Sequence, residues 1–188
     1  FAGFSSFLAL YAIDLGMRGA GLVFVAYAGI VLLIRSFGAS IPDRVGHART
    51  ASVSLALSAG GLALIGGWGR PAGLFSGTAL FAVGQALAFP ALMTIAVSRA
   101  SAADRGAVIG TFTAFVDVAF GIGPISLGPV AATFGYPGVF VASAMVTIAG
   151  LAVFRTTLAR RGSRAGIGAA AVEPPSVQSG SNGSEEQR

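Results

Sequence analysis

The sequence has few of the residues from which catalytic and metal sites are usually built. It contains no cysteine and a single histidine, His47, which excludes disulfide bonds, thiolate metal sites and a histidine-based metal cluster. Only 10% of its 188 residues are charged, and lysine is absent. A soluble domain needs charges on about a quarter of its residues. The composition therefore excludes a water-soluble globular chain.

Apolar residues are abundant and recur in long stretches. They make up 54% of the chain, and the mean hydropathy is +0.80. A helix of about 20 residues crosses the roughly 30 Å of hydrocarbon in a bilayer. Six such spans are predicted, at residues 1–13, 19–41, 50–67, 72–97, 106–133 and 138–154. The first is too short to cross, so we expect its missing turns to precede Phe1. The fold class predicted is an all-α membrane protein with a six-transmembrane-helix bundle.

The arginines indicate how the chain is oriented in the bilayer. Nine lie near span ends on one predicted side: Arg35, Arg44, Arg49, Arg99, Arg105, Arg155, Arg160, Arg161 and Arg164. The opposite side has two, Arg18 and Arg70. Because cytoplasmic loops carry an excess of Lys and Arg, the first side is predicted to be cytoplasmic in a cell (plasma or inner) membrane. The same scatter in short loops argues against nucleic-acid binding, despite a pI of about 11.1.

The chain changes character near its C-terminus. After Arg155 it becomes rich in Arg, Gly and Ser, and from Glu173 onwards apolar runs are absent. Such a composition cannot bury enough apolar surface to offset the entropy of ordering. The sequence predicts a helical bundle over residues 1–156 and a disordered cytoplasmic tail over residues 157–188.

The loop between the second and third spans carries a recognisable motif. It reads Asp43-Arg44-Val-Gly46-His47-Ala-Arg49. This resembles the cytoplasmic signature loop of the major facilitator superfamily, Gly-x-x-x-Asp-Arg-x-Gly-Arg-Arg/Lys, which has a weaker copy in the second half of the family's fold. Here alanine stands at the position of the first glycine, and His47 and an alanine stand at the two final basic positions. A plain positive-inside loop is the alternative.

A second stretch strengthens the resemblance. Asp104-Arg105-Gly106 through Gly110 is similar to the family's loop before helix eleven, and the residues around Asp117 most resemble a drug- and sugar-efflux branch. The resemblance covers residues 1 to about 156. It implies that the chain is the C-terminal half of the fold, helices seven to twelve, and that an N-terminal six-helix half is its missing partner.

Two polar residues lie in the middle of predicted spans. Asp117 is near the bilayer midplane, where an ionisable group costs several kcal/mol unless it faces a cavity or a partner. It is the candidate for proton coupling or for pairing with a cationic substrate; a neutral carboxyl bonded to a neighbouring helix is the alternative. Gln85 is a candidate cavity residue, because the family's tenth helix lines the cavity. It could equally bond one helix to another.

Other residues are weaker candidates. Tyr11 and Tyr27 are possible cavity walls, although aromatic packing is the more common role for such residues. A cytoplasmic gating loop is predicted from Arg35, Asp43, Arg44, Gly46 and Arg49. In this loop Gly46 supplies the turn. Arg35 either extends its charged end to the membrane surface or joins Asp43 in a network of charges. A network that is stable in only one access state would bias alternating access. The arginines at 44 and 49 hold the loop in the cytoplasm.

Glycine and proline are concentrated in two spans. Pro90 predicts a kink in the fourth. Helix bends or close packing in the fifth are predicted from Gly121, Gly123, Pro124 and Gly128. The run is weakly similar to the Gly-Pro-x-x-Gly-Gly motif that the family's antiporters carry in helix five.

These features favour a secondary active transporter that exports a small organic solute in exchange for a proton. Proton-coupled uptake of a sugar or other metabolite is the first alternative, and a non-transporting membrane scaffold or sensor is the second. The sequence has no phosphate-binding glycine loop, nucleotide motif or paired catalytic carboxylates, so neither an enzyme nor a cofactor is expected.

Overall fold

A computed structural model describes residues 1–38 and 45–170, with the backbone alone from residue 159. The described residues are helices and short connections, which confirms the all-α prediction for them. We number the helices in chain order. They are α1 (Ala2–Asp14), α2 (Gly21–Phe37), α3 (His47–Gly67), α4 (Pro71–Val97) and α5 (Arg105–Ala170).

The long helix α5 is divided at Gly135. This residue has φ 69° and ψ −177°, a non-helical backbone conformation that residues other than glycine rarely adopt. The break lies within residues 134–137, where the sequence predicts a turn. We call residues 105–134 the first arm of α5 and residues 136–170 its second arm.

Three helices are long and apolar enough to cross a membrane. They are α3, α4 and the part of α5 from Arg105 to Leu158, which at 54 residues is long enough for two crossings. The apolar helices α1 and α2 are shorter, with 13 and 17 residues. The span predicted at 19–41 runs into residues 39–44, which lie outside the described residues. The number of six spans therefore stays a prediction.

The core is built around α1. Its residues Phe4, Leu8 and Tyr11 are almost completely buried, because they lie on one face of the helix. They pack in one cluster with side chains from the other four helices, among them Val23, Ile65, Phe81 and Phe140. The Tyr11 hydroxyl donates a hydrogen bond to the Ile65 carbonyl oxygen, 3.3 Å away.

Helices α3 and α4 approach each other through small residues. A methyl group placed on Gly61 would lie 2.5 Å from the backbone nitrogen of Phe81, and one on Gly77 would lie 2.7 Å from the Gly61 carbonyl oxygen. At Gly84 the added carbon would collide with the Ser58 hydroxyl. Without bulk on either side the two backbones come into contact, as in many membrane helix pairs.

Much of the outer surface is apolar. Leu22 of α2 is 72% exposed, Phe37 is 82% exposed, and Ile125 of α5 is 77% exposed. In water such a surface would drive aggregation, whereas against lipid it needs no cover. The distribution agrees with helices whose outer faces contact a bilayer.

The chain forms two compact units, Phe1–Phe154 and Arg155–Arg188. The second unit starts within α5, whose backbone stays helical to Ala170. Residues 157–170 are thus helical where the sequence predicts the start of a disordered tail. Alanine and arginine, which are frequent there, have high helix propensities. The rest of the predicted tail, residues 171–188, lies outside the described residues.

Candidate functional site

One face of the first unit contains a cavity of about 430 Å³ between four helices, which we call the central cavity. Its volume is in the range of sites that hold small organic ligands. The lining residues come mainly from α1, α2, α4 and α5, with one from α3. They are Phe1, Ala2, Tyr27, Arg35, Leu55, Gln85, Ala88, Phe89, Leu92, Phe112, Val116, Ala119 and Phe120.

The helical repeat explains how α4 and α5 each contribute one face to the cavity wall. The α4 residues lie at positions 85, 88, 89 and 92, and the α5 residues lie at positions 112, 116, 119 and 120. Spacings of three, four and seven residues place side chains on one face of a helix. Each helix therefore presents one continuous stripe to the cavity.

Aromatic rings dominate the walls. The ring of Phe1 lies 5.9 Å from that of Tyr27 and 5.4 Å from that of Phe120, between centroids. Phe89 and Phe112 meet edge to face, with their centroids 5.5 Å apart. Such rings offer large apolar contact area together with a preference for other aromatic groups. The cavity is suited to a solute with an aromatic or apolar body.

Three polar side chains interrupt this apolar surface: Tyr27, Arg35 and Gln85. Tyr27 and Gln85 are both candidates for the cavity from the sequence, and both lie in its wall. Whether they contact a solute stays a prediction. Arg35, predicted to belong to the cytoplasmic gating loop, also lines the cavity.

A second cavity adjoins the first. It has a volume of about 490 Å³ and shares Arg35 and Phe89 with the central cavity. We call it the side cavity. Its other lining residues come from α2 and α4: Ile34, Gly38, Ala86, Leu87, Pro90, Met93 and Thr94. The two cavities meet at an arginine and a phenylalanine.

Tyr11 is not part of either cavity. Its side chain is only 1% exposed, and its ring lies 5.4 Å from the ring of Phe140 in the core. Its hydroxyl is used in the bond to Ile65. The structure thus places Tyr11 in the packing role, and its proposed place in a cavity wall is not supported by its position.

Asp117 lies beside the central cavity without lining it. It is exposed on the first arm of α5, adjacent to Val116 and three residues before Phe120, which both line the cavity. Within the described residues its carboxylate has no hydrogen bond or ion pair. At about 18 Å from Arg105 along the helix, by a rise of 1.5 Å per residue, it is near mid-membrane depth.

The predicted gating loop is only partly described. Asp43 and Arg44 lie outside the described residues. Gly46 has φ 95° immediately before α3, a conformation that favours glycine and agrees with a turn at this point. Arg49 is exposed in the first turn of α3. In the described ranges neither Arg35 nor Arg49 forms an ion pair, so the gating network stays a prediction.

The predicted glycine and proline positions have different surroundings. Pro90 lies inside α4, at the wall of the side cavity. A methyl group on Gly123 would lie 2.9 Å from the Ala2 side chain, so this glycine lets α1 approach α5. Around Gly121 and Gly128 there is open space. The backbone remains helical past Pro124, and the break in α5 comes only at Gly135.

Sequence reasoning missed the phenylalanines of the cavity. Phe112, Val116 and Phe120 recur every four residues, a spacing that would have indicated one shared helix face. The chain contains 14 phenylalanines, however, and most membrane helices are apolar all round. The spacing alone therefore could not separate a cavity face from a lipid face.

Comparison with known proteins places the chain in a family. The family model of the Major Facilitator Superfamily matches residues 1–181. An "Uncharacterized MFS-type transporter" of Pseudomonas aeruginosa (strain LESB58) is 35% identical over 170 residues, which are 88% of this chain and 41% of that protein. A protein of the same description from Burkholderia mallei (strain SAVP1) is 34% identical over 172 residues, 91% of this chain and 42% of its own length.

The chain spans about two fifths of the length of these relatives. Comparison with solved structures gives no match. The family match covers nearly the whole chain and extends beyond residue 156, where the motif resemblance ends. On this evidence, and with its long apolar helices, the chain belongs to the Major Facilitator Superfamily as a multi-pass integral membrane protein.

Proposed function

We propose that this chain forms part of a secondary active transporter that exports a small organic solute across the cell membrane in exchange for a proton. The observation that carries the proposal is the central cavity, a ligand-sized space lined mainly by four helices of a membrane bundle. Solute sites of secondary transporters lie near the bilayer midplane between helical repeats. Gln85, near the middle of α4, and Tyr27 offer hydrogen bonds within this space.

A second helical bundle completes the transport site in this proposal. The relatives extend well beyond the matched region, since the matched residues are only 41–42% of their length. The first arm of α5 also exposes large apolar residues next to the cavity, such as Phe115 and Ile122. We expect the N-terminal six-helix half to face this cavity, with lipid around the remaining outer surfaces.

The proton site is assigned to Asp117. Its carboxyl lies on the same helix as four aromatic or apolar residues of the cavity wall. Binding or release of a proton changes the charge on that helix at membrane depth, where a charge is expensive. Such a change can bias the transporter towards one of its two access states.

Transport is tested with the full-length protein in inside-out membrane vesicles. Acidifying the lumen is expected to drive accumulation of a solute from a panel of radiolabelled aromatic anions, neutral compounds and cations. A protonophore should abolish the accumulation, because it removes the gradient. Accumulation only in right-side-out vesicles would favour uptake over export. Failure of every solute in both orientations would contradict transport.

The orientation is tested with single cysteines in a cysteine-free background, which this segment already provides. Ala102→Cys lies between α4 and α5, and Gly69→Cys lies between α3 and α4. We expect a membrane-impermeant maleimide to label Gly69→Cys in intact cells and Ala102→Cys only in inside-out vesicles, because arginine-rich loops remain cytoplasmic. Labelling of both positions from the same side of the membrane would contradict the predicted orientation. The cytoplasmic location of the tail depends on the same orientation.

A further inference from the structure

Arg35 occupies an unusual position among the charged residues of the chain. It lies in the last turn of α2, and its side chain lines both the central cavity and the side cavity. Among the described residues that line either cavity it is the only charged one. Arginine keeps its charge in proteins at any physiological pH. The two cavities therefore share a fixed positive charge.

That charge has a reason to attract a ligand. No ion pair of Arg35 exists within the described ranges, and the surfaces on either side of it are mainly apolar. Its side chain is exposed, so a ligand in either cavity can reach the guanidinium. An opposite charge on that ligand is attracted to it. The planar guanidinium can hold a carboxylate through two parallel hydrogen bonds. The geometry thus favours an anionic group at the junction.

The other polar groups in the two cavities are neutral. They are the Tyr27 hydroxyl, the Gln85 amide and the Thr94 hydroxyl, which donates a hydrogen bond to the Pro90 carbonyl oxygen at 2.9 Å. No aspartate or glutamate is found among the described lining residues. A cationic solute would therefore meet a like charge with no acidic group to offset it, which selects against it.

The walls beside Arg35 suit an aromatic body. Phe89 lines both cavities, and its ring packs edge to face against that of Phe112. On the side-cavity side, Leu87 and Met93 extend the apolar surface. An aromatic solute can pack against these groups while its charged end reaches the arginine.

We propose that the two cavities beside Arg35 form a site for amphipathic organic anions, with the carboxylate on Arg35 and the aromatic body against Phe89 and Phe112. The inference rests on the proposed function, since it names the substrate class of the same site. It gives Arg35 a role in binding solute, distinct from the gating network predicted for it. It also separates the solute site from Asp117, which lines neither cavity.

Three probes with one ring system and different charges test this inference: 2-naphthoate, 2-naphthamide and 2-naphthylmethylammonium. Their affinities are measured by calorimetry on the purified full-length protein. We expect 2-naphthoate to bind most tightly. Arg35→Gln should weaken its binding roughly tenfold to hundredfold, the cost of losing a charged hydrogen-bonded pair. Binding of the neutral amide should change little, and Arg35→Lys should retain part of the affinity for the anion.

The matched control is Arg99→Gln, which removes an exposed arginine from the same predicted side of the membrane, outside both cavities. It should leave all three affinities unchanged. Equal binding of the three probes would overturn the inference, as would an equal loss for all three in Arg35→Gln, which is the result expected of a gating residue. If 2-naphthoate binds through Arg35 but no solute is transported, the proposed function fails and the site stands. If other solutes are transported but 2-naphthoate does not bind, the proposed function stands and the anion site fails.

Discussion

Replacing Asp117 with asparagine is expected to abolish proton-driven transport, with a loss of about a hundredfold or more in the rate of accumulation, while solute binding persists. Asparagine keeps the size and hydrogen-bonding capacity of the side chain but cannot take up or release a proton. A general acid–base or proton-carrying group is typically worth two to four orders of magnitude. Because Asp117 does not line the central cavity, the affinity for solute should stay close to that of the wild type.

The measurement compares two assays on the same vesicles. Accumulation under a pH gradient requires coupling, whereas exchange of labelled for unlabelled solute at equal pH requires only binding and the change of access. Asp117→Asn should fail the first assay and retain the second. This split would not arise from misfolding, which would remove both activities.

Asp104→Asn is the matched control for this prediction. Asp104 precedes α5, and one of its carboxylate oxygens accepts a hydrogen bond from the Ser101 hydroxyl at 2.6 Å. It lies at the end of the helix, far from mid-membrane depth. Its replacement should leave coupling intact. Normal accumulation in Asp117→Asn would show that the coupling proton binds elsewhere.

A large loss of stability is expected from Gly61→Ala, because α3 and α4 touch at this residue. The added methyl group would lie 2.5 Å from the Phe81 nitrogen and 2.7 Å from the Gly77 carbonyl oxygen. Both neighbours are backbone atoms, so a rotamer change cannot relieve the overlap and the helices must separate. Overpacking of this kind costs about 1–3 kcal/mol. Thermal unfolding of the detergent-solubilised protein should show a lower midpoint.

The neighbouring Gly60 provides a control in the same helix turn. A methyl group there would lie 3.4 Å from the end of the Leu80 side chain, an ordinary contact. Gly60→Ala should be neutral or stabilising, since alanine is favoured over glycine in helices by about 0.5–1 kcal/mol. If the two variants unfold at the same temperature, the close approach of α3 and α4 is not a source of stability.

The positions of the helices were largely predictable, because the signals that set them are local. The span predicted at 72–97 corresponds to α4 at Pro71–Val97, where proline begins the helix. The turn predicted at 134–137 contains the break at Gly135. The helical backbone of residues 157–170 was not predicted, since the three glycines and the serine there obscure the helix-forming alanines and arginines.

The lining of the site was predictable only in part. Tyr11 and Tyr27 are the same residue type in similar apolar helices, yet the first is buried beside Phe140 and the second lines the central cavity. Their difference depends on which neighbouring helix each one faces, and no local pattern contains that information. Arg35 is a comparable case. Its position near a helix end is equally consistent with a contact to the loop and with a place in a cavity wall.

Composition and spacing by themselves indicated that this chain belongs in a bilayer and placed most of its helices to within a few residues, because the hydrophobic effect acts on every segment separately. Its motif loop also indicated the family, which the family model and the relatives then confirmed. The tertiary structure alone decided that Tyr27, Gln85 and Arg35 share one aromatic-walled space, that Tyr11 is in the core, and that Asp117 stands beside the cavity. Those assignments depend on contacts between helices distant in sequence, and such contacts follow from how small residues such as Gly61 and Gly123 let the backbones approach.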